Sequence, residues 1–397
     1  MLSIGIDISS NNITVVELIR SRKGMMIKNA ANFEISSESI KKGELQDPAV
    51  LSKALKEAWK KYRISGRNVF IGLSNLKAII KEVELPLTVE EEINNSLKYQ
   101  INDFIPIPKD NILYDYYILE KTGSSSKIML VGAMKSMVLS VIEAIKGAGL
   151  IAQAIDLNCF SLFRTLEMVY NLASNKKTFC AVNIGPEISI IEIIENDILK
   201  FPRLLSNSSS TFIKNIEKMT GTDKKLSKKI VYDFDFNDLL KVAIGSKDPG
   251  SESGPSKIED GNKENKISTG GTKKSPDKTK PAQQKTTDKL KDMPEDDIIK
   301  KTMGDTADSI IDEIEMSIEH YQQERHESKI ERIVISGDNL KNIGKYIQYK
   351  TEYKVERLDI SNKFSIDLIN KNAIYKNTYK DQILNPLAIG MALRGMG

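Results

Sequence analysis

The sequence predicts an α/β protein built from two lobes, and three observations carry that expectation. The chain opens with Gly5-Ile6-Asp7-Ile8, a polar turn Ser9-Ser10-Asn11-Asn12, and a second apolar run from Ile13 to Leu18, which together read as two strands joined by a tight turn. A strand–turn–strand of the same form recurs at Ala181-Val182-Asn183-Ile184-Gly185-Pro186-Glu187-Ile188-Ser189-Ile190-Ile191. Around both, strand-like runs are mixed with runs of helical period. Each turn has the makings of a phosphate cradle. Exposed N–H groups and short hydroxyls supply donors, and a carboxylate such as Asp7 can hold a hydrated metal ion.

Residues 2–20 give two strands and residues 25–36 a third. Asp47-Pro48 opens a helix, with Asp47 as N-cap and Pro48 at the first helical position. Leu51, Leu55, Ala58, Trp59 and Tyr62 follow at helical spacing and make one apolar face. Trp59, the single tryptophan, reads as a core residue of that face, with an exposed partner anchor as the other reading. Strands follow over 69–73 and 78–85. Thr88 and Glu91 form a capping box for a helix whose buried stripe is Val89, Ile93, Leu97, Ile101 and Phe104. Pro106 and Pro108 stop it, because the residue before a proline is forced out of helical geometry. Strands at 112–120 and 127–134 come next, then a helix carrying Val138, Val141, Ile142 and Ile145 that ends at Gly147 and Gly149.

These elements make a compact module over 69–150, which follows the N-terminal part of the first lobe at 1–68. The second lobe spans 151–397. It holds the 178–201 hairpin, helices near 211–220, 303–325 and 340–349, a strand at 331–336 and a closing helix from 386. Residues 246–297 interrupt it with a run rich in Ser, Gly, Pro, Lys, Thr, Asp and Glu that has no aromatic residue. Such a run cannot bury enough apolar surface to offset its ordering entropy, so it reads as a disordered insertion.

Composition narrows the function. The 397 residues carry a net charge of +4, close to balance, which gives no argument for nucleic-acid binding. Lys214, Lys218, Lys224, Lys225, Lys228 and Lys229 cluster, and read as a solvated helical face. Two cysteines, Cys159 and Cys180, sit in or next to apolar runs as buried thiols. Two histidines, His320 and His326, share one polar helical stretch, which disfavours a histidine metal site or a catalytic triad. No signal peptide and no run of roughly 20 apolar residues is present, so a cytoplasmic protein is expected, held at the membrane only through partners.

The duplicated hairpin, one near the start of each half, resembles the layout of the actin-like (RNase H-like) nucleotide-binding fold. The resemblance narrows over Leu85-Pro86-Leu87-Thr88-Val89-Glu90, Phe104-Ile105-Pro106-Ile107-Pro108, Leu113-Tyr114-Asp115-Tyr116, Val131-Gly132-Ala133-Met134-Lys135 and Ala148-Gly149-Leu150 through Asp156. In order and spacing these are similar to the PilM family of type IV pilus assembly proteins, as is the ending Pro386-Leu387-Ala388-Ile389-Gly390-Met391. The resemblance implies a two-lobed actin-like fold with an inserted strand–helix–strand–strand module of the FtsA-like kind. It also implies a cytoplasmic scaffold whose groove, between the first lobe and that module, takes the cytoplasmic tail of a PilN-like inner-membrane protein. Pilus motor ATPase components and further copies of the chain are the other partners it allows.

An actin-like site would hold ATP and Mg²⁺ between the two turns. On the first, Asp7 would face the metal, and Ser9, Ser10, Asn11 and Asn12 would donate to phosphate, although Ser9 stands where the family has Gly. On the second, Asn183 replaces the expected metal-facing Asp, Gly185 remains, Glu187 adds negative charge, and Ser189 stands for the usual Thr. Ser336 and Gly337 mark an adenosine turn with one glycine where the family has two or three. Asn207-Ser208-Ser209-Ser210 replaces the Gly pair before the second-lobe helix. These departures point to a scaffold whose nucleotide binding is weak or lost. Bound ATP without turnover is the next reading, and no catalytic residue is assigned. The rival readings are an active ATPase or sugar kinase on the same fold, and an FtsA-like filament with a membrane-binding C-terminal helix.

Overall fold

The computed structural model describes residues 1–9, 12–22, 24–36, 39–41, 43–174, 177–245, 293–324, 329–366 and 384–396. Two sheets dominate it, and they repeat one plan. In the first, β1 (Leu2–Ile8), β2 (Asn12–Ser21) and β3 (Gly24–Glu34) form an antiparallel meander. After a short antiparallel pair, β4 (Ile40–Lys41) and β5 (Glu44–Leu45), β6 (Asn68–Leu73) lies parallel to β1, and β10 (Ile151–Leu157) parallel to β6. In the second, β11 (Thr178–Ile184), β12 (Ser189–Glu195) and β13 (Ile198–Leu205) form the same meander, extended by parallel β14 (Ile333–Gly337) and β15 (Val355–Arg357). The strand orders are β10-β6-β1-β2-β3 and β15-β14-β11-β12-β13, with β16 (Phe364–Ile366) added on β3. The echo between the two hairpins is therefore a repeat of the whole sheet.

β1 and β11 read as unbroken apolar runs because both faces of each sheet are covered. α1 (Pro48–Lys61) and α3 (Lys135–Gly147) cover the outer face of the first sheet, where Leu51, Leu55, Val141 and Ile145 meet Ile4, Ile6 and Val15. Asp47 caps α1 as expected, its carboxylate accepting from the N–H of Ala49. Trp59 packs on this core and its indole N–H donates to the carbonyl of Gly66 at 2.7 Å. Over the outer face of the second sheet lie α5 (Ser209–Thr220), α6 (Lys224–Asp233), α7 (Asn237–Gly245), α8 (Glu295–Glu324) and α9 (Ile343–Thr351).

Two helices form the layer between the sheets. α4 (Asn158–Tyr170) sets Cys159, Leu162 and Leu166 against Phe179, Ala181 and Ile190 of the second sheet. α10 (Pro386–Arg394) sets Ala388, Ile389 and Ala392 against Val16 and Leu18 of the first. The contacts are backbone-close. A Cβ at Gly5 would collide with the backbone of Ala388 and Ala392, and one at Gly390 with Ser161, so glycine is required at both positions.

The inserted module is a three-stranded antiparallel sheet, β7 (Ile79–Leu85), β9 (Ser126–Met134) and β8 (Ile112–Lys121) in that order, with α2 (Glu90–Phe104) on one face. Its strand–helix–strand–strand sequence matches the expectation, and its bounds do not. β6 and α3 fall inside the expected 69–150 module, and β10 inside the expected second lobe, yet all three belong to the first sheet and its cover. Pairing of β6 with β1 is a long-range contact that residue spacing does not register. The closing segments are corrected too, because β16 and α10 return from the expected second lobe to the first sheet. The Thr88–Glu91 capping box is absent. α2 starts behind Val89 with no side-chain cap, and Glu90, Glu91 and Glu92 sit at its positive end instead.

Of the 246–297 insertion, residues 246–292 lie outside the described residues. Its last residues, Glu295 to Asp297, are the first turn of the thirty-residue α8. Pro294 followed by three acids is a helix start, which the charged composition of the run masked. Replacing 246–292 with a short flexible linker is expected to leave one cooperative thermal transition in circular dichroism. Extending the deletion through Asp297 should lower the midpoint by removing that first turn.

Candidate functional site

Two places in the fold are candidates: the cleft between the two hairpin turns, and a groove beside the inserted module. Asp7 ends β1 at the cleft and is 4% exposed. Asn158 at the start of α4 donates its amide to one carboxylate oxygen, and Asn385, the N-cap of α10, donates to the other, each at 2.7 Å. Burial pushes its pKa up to about 6 against the pull of these two amides, with a further push from the charge of Asp338. The residue expected to face a metal is thus a structural acceptor.

The first turn closes on itself, since both the N–H and the hydroxyl of Ser9 donate to the carbonyl of Asn12, at 3.0 and 2.8 Å. Ser10 and Asn11 lie outside the described residues. On the second lobe, Asn183 and Ser336 are brought together, but to each other: the amide donates to the Ser336 hydroxyl at 2.9 Å across β11 and β14. Ser189 is fully buried, and its hydroxyl has no partner among the described residues. Gly185 and Gly337 are glycines for packing reasons, since a Cβ on either would strike backbone of Ile188 or Ile184, and Gly337 also holds φ +93.

A phosphate site uses the free N–H groups at a helix N-terminus. Here the first N–H groups of α5 are engaged: Ser209 donates to the carbonyl of Gly185 and Ser210 to that of Pro186, both at 3.0 Å. At the adenosine turn, Asp338 accepts from the hydroxyls of Ser209 and Tyr232, the latter at 3.0 Å. Between the two turns remains a cavity of about 30 Å³, walled by Asp7, Ser9, Asn158, Gly185, Pro186 and Glu187. That is one water's share of space, where small-molecule sites need roughly 300 Å³ or more.

The clamps on Asp7 and Asp338 were not legible as site residues. Asn385-Pro386 is visible as a helix start, yet nothing in the sequence ties Asn158 or Asn385 to Asp7, or Ser209 and Tyr232 to Asp338.

The groove is larger, about 730 Å³. The free face of β8, α3, β10, α4 and the β12–β13 turn wall it. β8 and β10 are both edge strands, at the ends of their sheets. Ile112, Tyr114, Tyr116 and Ile118 of β8 point into the module core, whereas Leu113 and Tyr117 point into the groove, 40% and 69% exposed. Large side chains on both faces of 112–120 are the sequence signal for this surface. At one end Asp156 accepts from Arg164 at 2.6 Å and also from Arg394. This ion-paired cluster is the role of Asp156.

Because the folded pKa of Asp7 exceeds the ordinary 3.8, the folded state favours its proton. Its contribution is full below about pH 4 and is lost as pH rises through about 6, a change of about 3 kcal/mol. Chemical denaturation between pH 4 and 7 is expected to show this loss in the wild type and not in Asp7→Asn.

The family model described as "Type IV pilus assembly protein PilM" matches residues 5–229, more than half of the chain. A solved structure described as "PilM-PilN type IV pilus biogenesis complex" is similar over 100% of this chain and 98% of that one, at 19% identity and a TM-score of 0.73. The ethanolamine utilization protein EutJ from Carboxydothermus hydrogenoformans covers 99% and 90% at 10% identity and a TM-score of 0.49. A chain of the MamK double helical filament covers 100% and 98% at 10% identity and a TM-score of 0.44. Among the described residues no helix is long and apolar enough to cross a membrane. With its repeated sheets and inserted module, this two-lobed actin-like chain belongs to the PilM family of type IV pilus assembly proteins.

Proposed function

We propose that this chain is a scaffold of a type IV pilus assembly machine, and that its groove takes the cytoplasmic tail of a PilN-like inner-membrane protein in extended form. The solved structure it resembles is of a PilM–PilN complex. The observation that carries the reading is the groove itself: two strand edges without a second neighbour face it, and Leu113 and Tyr117 stand exposed in it. An extended tail would pair its backbone with one of these edges and set alternate side chains among the apolar walls. Attachment to the inner face of the cytoplasmic membrane then comes through the partner. Docking of a pilus motor ATPase and self-association belong to the same reading and rest on the family alone.

Nucleotide turnover is not part of it. Around the turns that would hold ATP, the N–H groups of Ser9, Ser209 and Ser210 and the amide of Asn183 donate to protein, and Asn183 offers Mg²⁺ no charge. Calorimetric titration with Mg-ATP is expected to give weak or no binding. Tight binding with rapid phosphate release would restore the enzyme reading.

A labelled tail peptide should bind the chain without nucleotide in a fluorescence anisotropy titration. Leu113→Asp and Tyr117→Ala should each weaken it about tenfold or more, roughly 1.4 kcal/mol, as for anchors at a groove centre. Both side chains are exposed, so melting should be unchanged. Absence of binding at high micromolar protein would remove the mechanism.

A further inference from the structure

We propose that the groove selects a cationic tail: an extended peptide with apolar residues at alternate positions, flanked by lysine or arginine. The inference rests on the peptide reading of this groove and adds the charge of the occupant.

The charges along the groove are lopsided. No lysine lines it. Its two arginines, Arg164 and Arg394, are both bound to Asp156, which leaves a surplus of one positive charge at that end. Against it stand three exposed carboxylates, Asp115, Glu167 and Asp197, so the lining is negative by two charges.

The carboxylates are spread around the rim. Asp115 lies on β8 between Leu113 and Tyr117, and Glu167 lies on α4. Asp197 sits in the β12–β13 turn, where Asn196 and Asp197 hold φ of 50 and 66, the left-handed pair of a two-residue hairpin. Glu167 and Asp197 are close enough to repel. The pKa of Glu167 is raised, first by desolvation and then by the charge of Asp197, with Arg164 opposing. Neither makes an ion pair among the described residues that would relieve this.

A cationic flank would relieve it. Exposed charges act mainly on approach rate and choice of partner, while the apolar anchors hold the peptide. Cytoplasmic segments beside a membrane span carry an excess of lysine and arginine, so a tail leading into the inner membrane has the complementary sign. An acidic or neutral peptide would meet the same apolar walls without this gain.

The test uses the full chain and two labelled peptides in fluorescence anisotropy. One is the cytoplasmic tail of the PilN-like protein, and the other is the same peptide with every Lys and Arg replaced by Gln. The native tail is expected to bind about tenfold tighter at low salt than the neutral form and to lose that advantage by about 0.3 M salt. Glu167→Gln with Asp197→Asn should weaken the native tail roughly fivefold and leave the neutral peptide unchanged. Asn accepts the left-handed turn, so thermal melting of this variant should match the wild type. Equal, salt-independent binding of both peptides would overturn the charge inference and leave the peptide reading standing. Failure of both peptides to bind at any salt would overturn the peptide reading itself.

Discussion

The carboxylate of Asp7 ties together three segments that are remote in sequence. Its two amide donors lie 151 and 378 residues away, on the helices that fill the space between the sheets. Hydrogen bonds to a charged group are worth about 1.5–3 kcal/mol each, and removing one partner leaves a buried charge uncompensated. Two residues earlier, Gly5 gives α10 its approach to β1. The first sheet is therefore finished only when the last residues arrive, since α10 covers it and β16 extends it. Contacts of such span are costly in loop-closure entropy and slow to form.

Polar groups at both hairpin turns are engaged in a similar way. In a phosphate site, the carboxylate, the first N–H groups of the following helix and the glycine turn would be left open for a ligand. Here each has a protein partner. Asp7 holds two amides, α5 donates to Gly185 and Pro186, and Asp338 gathers Ser209 and Tyr232. An internal partner is always present, whereas a ligand must pay its loss of translational freedom to compete. In this form these polar groups are engaged with other segments of the chain.

Local pattern made much of the fold legible. Asp47-Pro48 marked a helix start, and the apolar spacing of Leu51 and Leu55 marked its face. The recurrence of Gly5-Ile6-Asp7-Ile8 as Ala181-Val182-Asn183-Ile184 marked the two lobes. What failed was long-range. β6 is as apolar as any module strand, and only its pairing with β1 assigns it to the first sheet. At the cleft the candidates were individually well placed: Asn183 and Ser336 do meet, and Asp7 does face the cavity. Their donors and acceptors proved engaged because the partners, Asn158 and Asn385 among them, come from other elements. A polar residue in a turn announces its chemistry, but only the folded chain decides whether that chemistry is left free.

Sheet edges make the case for the groove in another way. An unpaired edge is a template for unwanted pairing, and natural sheets blunt it with charge, proline or shortness. Most edges here follow that rule. β7 exposes Lys81, Glu82 and Glu84, β13 carries Pro202, and β15 and β16 are three residues long. β8 and β10 follow it least. β8 runs ten residues and sets exposed Leu113 and Tyr117 on either side of Asp115, and β10 reads Ile151-Ala152-Gln153-Ala154-Ile155. These two edges face the same groove. Had the groove stood open to solvent in the working assembly, it would be the place on this molecule most prone to mispairing and aggregation. A covering strand removes that liability by supplying the missing hydrogen bonds, and the acidic rim then limits which strands can do so.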